Sequence, residues 1–96
     1  MLTGKQRSYL RSEANNLNPV IHIGKDGITP SLLNQVDAAL DDHELIKCRV
    51  LKNSLGEPRS FADEISSQLN CDVVQVIGNV FVLFRRNEEE PIYILP

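Results

Sequence analysis

The sequence predicts one α/β domain with a mixed four-stranded sheet and elements in the order α-β-α-β-α-β-β. Its length of 96 residues fits a single domain. Short segments rich in β-branched residues alternate with amphipathic helical segments, a pattern typical of parallel crossover units. The last two β-rich segments are separated only by Gly78-Asn79, which indicates a hairpin turn and therefore an antiparallel strand pair.

The first and third predicted helices are recognised from their apolar spacing and their ends. The first follows Thr3, whose hydroxyl can cap it, and runs to about Asn16, before Pro19 stops the pattern. The third runs from about Pro58 to Leu69, with its apolar residues on one stripe. Two or all three of the helices are expected to cover one face of the sheet.

The second predicted helix carries the clearest signals. Thr29 can cap it, and Pro30 suits the first helical position. From residue 32 onward its apolar residues recur at helical spacing. Asp41 and Asp42 are expected just past its end, because negative charge is unfavourable at a helix C-terminus.

The four strands are expected to pack apolar residues on at least one face. In the second strand, Ile46 and Cys48 alternate with Lys47 and Arg49, so one face is apolar and the other carries two cations. The predicted strands are Val20–Ile23, Glu44–Lys52, Asp72–Ile77 and Val80–Arg85. Together these elements form a predicted domain over residues 1–86, and the acidic and apolar tail 87–96 either docks as an extended piece or frays.

Composition excludes several classes of protein. Thirteen acids outnumber ten bases, and the net charge of -3 excludes a uniformly basic, histone-like chain. The longest apolar runs are far shorter than the roughly 20 residues that span a bilayer, and no apolar signal region opens the chain, so we expect a cytoplasmic protein. Cys48 and Cys71 form no CxxC motif, and they are expected to be small buried hydrophobes without a disulfide.

The sequence offers little for catalysis. His22 lies in a predicted strand and His43 at a helix end, and their spacing matches no metal motif. Asp41 and Asp42 are adjacent, so their side chains diverge. Because phosphate-binding glycine patterns of the Walker and Rossmann types are also missing, we expect no enzyme activity, no catalytic residue, no cofactor and no metal.

A GxxG segment, Gly24-Lys25-Asp26-Gly27, lies between the first strand and the second helix. Glycines allow positive φ and leave backbone N–H groups accessible, and the following helix has a partly positive N-terminus. With the cation of Lys25, these groups could hold a nucleic-acid backbone, as a loop of this form does in KH domains. A plain strand-to-helix turn has the same pattern.

The distribution of charge gives the N-terminal part of the chain a basic character. Residues 1–25 hold four bases against Glu13, whereas the tail 87–96 holds three acids and no base. This segregation predicts one basic face formed by the first helix, Lys25 and Arg85-Arg86, with a solvated helix surface as the alternative interpretation. The four bases are Lys5, Arg7, Arg11 and Lys25.

In combination these motifs resemble the CRM domain, and most of all its bacterial single-domain form, the YhbY-like (YqeI-like) RNA-binding proteins. The resemblance covers residues 2–86 and is strongest in the block Pro19–Gly27. It implies a fold like the C-terminal domain of translation initiation factor three and a non-enzymatic RNA-binding function. The family is associated with precursors of the large ribosomal subunit in bacteria and with intron splicing in plant organelles.

The resemblance also implies which residues meet RNA and which partner is expected. The implied partner is ribosomal RNA of large-subunit precursors, with no membrane or DNA partner and a monomeric state. The acidic Asp26 and the acidic net charge depart from the pattern of an RNA binder. A protein-interaction adaptor that docks a partner by strand addition, through the hairpin edge or the tail, is the alternative function. The implied RNA-binding residues are Gly24, Lys25, Asp26 and Gly27 in the loop, with Lys5, Arg7, Arg11 and Arg85 as basic support.

Overall fold

The structure is a computed structural model that describes residues 2–96, and in these residues the predicted order of three helices and four strands is confirmed. The strands form one sheet in the order β1-β2-β4-β3. β1 and β2 are parallel, whereas β4 is antiparallel to both of its neighbours, so the predicted mixed sheet is confirmed as well. The elements are α1 (Gly4–Ala14), β1 (Ile21–Ile23), α2 (Pro30–His43), β2 (Leu45–Val50), α3 (Pro58–Leu69), β3 (Asp72–Ile77) and β4 (Val80–Phe84).

The two predicted helix caps are confirmed by their hydrogen bonds. The Thr3 hydroxyl accepts from the Gln6 backbone N–H at 3.1 Å, and the Gln6 side chain accepts from the Thr3 N–H at 3.1 Å. The Thr29 hydroxyl accepts from the Leu32 N–H at 3.1 Å, and Pro30 opens α2. Each such cap contributes about 1 kcal/mol, so these local signals fix where both helices begin.

The C-terminal end of α2 differs from the prediction. The helix continues through Asp41 and Asp42 to His43, and Glu44 ends it with a left-handed φ of 63°. The expectation that both acids lie past the helix was therefore wrong. A guanidinium nitrogen of Arg85 lies 2.9 Å from the Asp41 carboxylate, and this cation offsets the repulsion between the carboxylate and the helix end.

The helices divide two to one between the faces of the sheet. α2 and α3 cover one face, where Val36, Ile65 and Phe81 are fully buried. α1 covers the opposite face, where Leu10 packs in a smaller cluster with Phe84 and other residues of the sheet. Both clusters remove apolar surface from water, which provides the main driving force for this arrangement.

α1 covers only one end of its face. Leu45, Val74 and Phe84 lie under the helix and are buried. Toward the other end of the same face, Arg49 is exposed and the Ile77 side chain is 64% exposed. The alternation predicted for β2 therefore places its two cations on the part of the sheet that α1 leaves open.

The tail docks on the α1 side, through a carboxylate that is fully buried. Glu44 accepts backbone N–H bonds from Asn87 at 2.6 Å, Ile92 at 2.7 Å and Tyr93 at 2.9 Å. Three donors compensate the charge for its loss of hydration. Tyr93 and Leu95 then pack beside the α1 cluster, so of the two expectations for the tail, docking is the one observed. Its separation from the domain at residue 86 stays a prediction.

The two cysteines are free and buried, as expected. Burial raises the pKa of the Cys48 thiol to about 12 and that of Cys71 to about 11. Both groups are therefore protonated and unreactive near neutral pH, since the thiolate is the reactive form. Across residues 2–96, no helix has the length and apolar character needed to cross a membrane.

Candidate nucleic-acid interface

The loop Gly24–Gly27 forms a tight turn between β1 and α2. The Gly27 N–H donates to the Gly24 carbonyl at 3.1 Å, and Gly27 has a left-handed φ of 64°. A Cβ at Gly27 would lie 3.6 Å from the ring of Phe61, so space alone does not forbid a side chain there. The positive φ does favour glycine, because other residues pay about 1 kcal/mol or more to adopt it.

Gly24 differs from Gly27 in its backbone conformation and in its packing. It has no positive φ, and a Cβ would make only ordinary contacts with Asn53 Oδ1 at 3.7 Å and Leu51 Cδ1 at 3.9 Å. Neither the backbone nor the packing therefore requires glycine at this position. What a missing side chain does provide is open access to the backbone of the turn.

The charges around the loop act in opposite directions. Lys25 is exposed, and among residues 2–96 no carboxylate lies within 4.0 Å of its ammonium group. The first turn of α2 begins at Pro30, and its partly positive end favours an anion, although Pro30 has no N–H and the Leu32 N–H is bonded to Thr29. Asp26 is exposed beside Lys25, and α2 is capped by Thr29 instead, so the Asp26 carboxylate faces solvent.

Arg7 is tied to the sheet. Its guanidinium donates to the backbone carbonyl of Val73 and, at 3.5 Å, to that of Val74. These carbonyls lie in the edge strand β3, where the strand register shifts between Val73 and Gln75. Arg7 thus anchors α1 to an irregular sheet edge, whereas Lys5 and Arg11 remain exposed on the helix.

Arg85 is held by acids of α2. Its guanidinium donates to the Asp37 carboxylate at 2.8 Å, to Asp41 at 2.9 Å and to the Leu69 carbonyl at 3.0 Å. Burial lowers the pKa of Arg85, but the hydrogen bonds and charges of the two aspartates outweigh burial and raise it. The side chain joins the end of β4 to α2 and α3, and its charge is locally balanced.

The eight predicted site residues do not form one basic face. The loop follows Ile23, which pairs with Val50, whereas Arg85 follows Phe84, which pairs with Leu45 at the other end of β2. At about 3.3 Å per residue, these two ends of β2 lie about 17 Å apart. Arg7 lies near the Leu45 end, so Gly24, Lys25, Asp26 and Gly27 form one group, and Arg7 and Arg85 belong to another region.

Two basic residues closer to the loop were not assigned to the site from the sequence. Lys47 and Arg49 lie on the open part of the α1 face, in the strand next to β1. The signal that could have found them was their alternation with buried residues in a central strand. Which part of that face α1 would leave open was not visible in the sequence.

The fold and this loop define the class of protein: a small α/β domain whose mixed sheet presents a GxxG turn at the start of a helix. The CRS1 / YhbY (CRM) domain matches residues 2–85, and the chain belongs to this family. The resemblance noted from the sequence is thereby confirmed.

Relatives and a solved structure agree with the assignment. The chain is 38% identical, over the full length of both proteins, to the "Probable RNA-binding protein YqeI" of Bacillus subtilis. It is 35% identical over 91 residues to an "RNA-binding protein" of Haemophilus influenzae, covering 95% of this chain and 92% of that one. The solution structure of the hypothetical protein SAV1595 from Staphylococcus aureus has a TM-score of 0.83 and 42% identity, with both chains fully covered.

Proposed function

We propose that this chain is a non-enzymatic RNA-binding protein that acts in ribosome assembly and holds RNA of large-subunit precursors at the Gly24–Gly27 loop. The observation that carries the proposal is the exposed turn itself, with Lys25 unpaired among the described residues and the first turn of α2 beside it. Relatives named as RNA-binding proteins support the same function. The protein acts as a cytoplasmic monomer.

The loop binds RNA through its backbone and one cation. Phosphate oxygens accept hydrogen bonds from accessible N–H groups and attract Lys25, and the small Gly24 lets the RNA backbone approach closely. Asp26 repels phosphate, so it keeps the loop's own affinity modest and makes additional contacts elsewhere necessary. Lys5 and Arg11 can supply charge from α1, whereas Arg7 and Arg85 serve the fold.

The adaptor alternative has less support. Strand addition needs an open strand edge, but on the outer strand β3 the carbonyls of Val73 and Val74 accept from Arg7. The tail, the other surface considered, is held by Glu44 and packs Tyr93 and Leu95 against the α1 side. An adaptor of this kind would have to open contacts that the fold uses.

Charge reversal in the loop tests the proposal. Lys25→Glu should weaken binding to a transcribed large-subunit ribosomal RNA precursor and lower the slope of log affinity against log salt by about 1. The matched control is Arg59→Glu, an exposed α3 residue paired with Asp63. Filter binding at several salt concentrations gives both quantities. Equal affinities for the wild type and Lys25→Glu would refute the loop assignment.

Sedimentation tests the cellular role. The tagged protein should co-sediment with large-subunit precursors, and nuclease treatment should release it. Co-sedimentation that survives complete digestion of RNA would favour a protein partner and contradict the proposal.

A further inference from the structure

The open part of the α1 face forms a groove beside the loop. Two hollows of about 380 and 440 Å³ share the lining residues Arg49 and Val80, so they lie side by side across β2 and the β3–β4 hairpin. We call the two hollows together the sheet groove, and its polar lining is Asn15, Asn18, Lys47, Arg49, Lys52, Gln75 and Asn79. Ile77, 64% exposed, adds an apolar patch.

The charge of the sheet groove is opposite to that of the whole chain. The chain carries thirteen acids and a net charge of -3, yet no Asp or Glu lines either hollow. Among residues 2–96, Lys47, Arg49 and Lys52 have no carboxylate within 4.0 Å. Exposed charges act over about 8 Å at physiological salt, so this local excess of three cations decides which ligand is attracted.

The groove is continuous with the loop. Ile23 pairs with Val50, and the Leu51 N–H donates to the Ile23 carbonyl at 2.8 Å, so the end of β2 lies directly beside the start of the loop. Gly24 itself approaches Asn53 and Leu51, which flank Lys52. Cations therefore follow one another from Lys25 past Lys52 to Arg49 and Lys47, and the part of this path on β2, from Lys47 to Val50, is about 10 Å long.

We propose that the sheet groove is a second RNA contact, which takes the single-stranded RNA segment continuing from the loop; this rests on the proposed function. A single strand can bend from the loop into the concave groove, whereas a stiff, convex duplex cannot follow this path. Its phosphates meet Lys47, Arg49 and Lys52, and its exposed bases reach the amides of Gln75 and Asn79. No aromatic residue lines either hollow, so recognition depends on charge more than on base stacking.

The test compares two double variants that lose the same charge. The groove variant is Lys47→Gln/Arg49→Gln, and the control is Arg59→Gln/Arg86→Gln, whose arginines are exposed and paired with acids. The probes are a 20-nucleotide single-stranded RNA of randomised sequence and a 20-base-pair RNA duplex, followed by fluorescence anisotropy. The groove variant should lose at least tenfold affinity for the single strand, with a salt slope lower by about 1.4, at about 0.7 per phosphate contact. The control and all duplex affinities should change less than twofold.

The outcomes separate this proposal from the one it rests on. If the wild type binds neither RNA, both proposals fail. If Lys25→Gln weakens single-strand binding and the groove variant does not, only the groove is refuted. An equal loss on the duplex would overturn the single-strand assignment. If the double variant folds poorly, Lys52→Gln gives a second test, because Lys52 lies outside the sheet. This variant should weaken binding of the single-stranded RNA several-fold.

Discussion

The two ends of the sheet use charge in different ways. At the end formed by Leu45 and Phe84, two charged side chains are bonded within the fold: Arg85 to two aspartates and Glu44 to three backbone N–H groups. From the middle of β2 to the end formed by Ile23 and Val50, the cations of the loop and sheet groove have no carboxylate partner in residues 2–96. The first arrangement holds the fold together, and the second leaves charge available to a ligand. Counting bases along a sequence does not separate the two.

The largest effect on stability is expected at Glu44. Glu44→Ala leaves three N–H groups of the tail without their acceptor and should lower the free energy of unfolding by about 3 kcal/mol. Ala and Glu both disfavour the positive φ at this position, so the change reports the loss of the carboxylate. Urea denaturation measures it, with exposed Glu88→Ala as the control. At a temperature where the variant is folded, its RNA affinity should stay within twofold of the wild type. A large loss of affinity would contradict the assignment of Glu44 to the fold and not to RNA binding.

The second-largest effect on stability is expected at Arg85. Arg85→Gln removes the bonds to Asp37, Asp41 and the Leu69 carbonyl and should cost about 2 kcal/mol, a value discounted because the aspartates are largely exposed. Thermal unfolding gives the change in stability, and filter binding gives RNA affinity. We expect affinity to change less than twofold. A tenfold loss of RNA affinity in a folded variant would support Arg85 as a residue of the RNA site, as the family resemblance implies.

The two loop glycines should respond differently. Gly27→Ala should destabilise the protein by about 1 kcal/mol, because alanine resists the positive φ. Gly24→Ala should leave stability within about 0.5 kcal/mol, since the added methyl meets only ordinary contacts, but it should weaken RNA binding several-fold by blocking close approach. Chemical denaturation measures the stability of the two variants, and fluorescence anisotropy measures their RNA affinity. Unchanged RNA affinity in Gly24→Ala would contradict the assignment of the loop backbone as a phosphate contact.

The smallest effect is expected from the thiol in the middle of β2, which belongs to neither end. Burial raises the pKa of Cys48 from 9.0 to about 12, so the folded state holds the proton more tightly than the unfolded chain does. Its contribution to stability is complete below about pH 9 and declines as pH rises toward 12. The stability gap between wild type and Cys48→Ala should therefore stay constant from about pH 7 to 8.5 and narrow above 9. A gap that widens in that range would contradict the burial of the thiol.

Local signals in the sequence were sufficient for the elements of the fold. Thr3 and Thr29 cap their helices through residues three positions away, and Gly78-Asn79 forms the hairpin turn, so each signal lies within the element it predicts. The alternation of strands and helices, together with this turn, predicted the mixed sheet. These parts were predictable because the interactions that decide them span few residues.

Other parts depended on contacts between distant residues. Inside α2, the Asp41 carboxylate accepts a hydrogen bond from Arg85, which is 44 positions away in the chain. Arg7 was placed with the RNA site, but its guanidinium reaches carbonyls of β3 that are 66 and 67 positions away. Lys47 and Arg49 were visible as a polar strand face, but their availability depends on how far α1 extends over the sheet. Charge alone could not predict which cations would be neutralised within the fold.

The buried carboxylate of Glu44 also bears on where the folding unit ends. The family match stops at residue 85, whereas the three amides that Glu44 requires belong to residues 87, 92 and 93. A chain that ends at the family boundary would include every helix and strand but would leave the buried Glu44 carboxylate without its three hydrogen-bond donors. The bonded amides of residues 87, 92 and 93 should therefore exchange slowly, as amides inside the domain do, although the family match stops at residue 85.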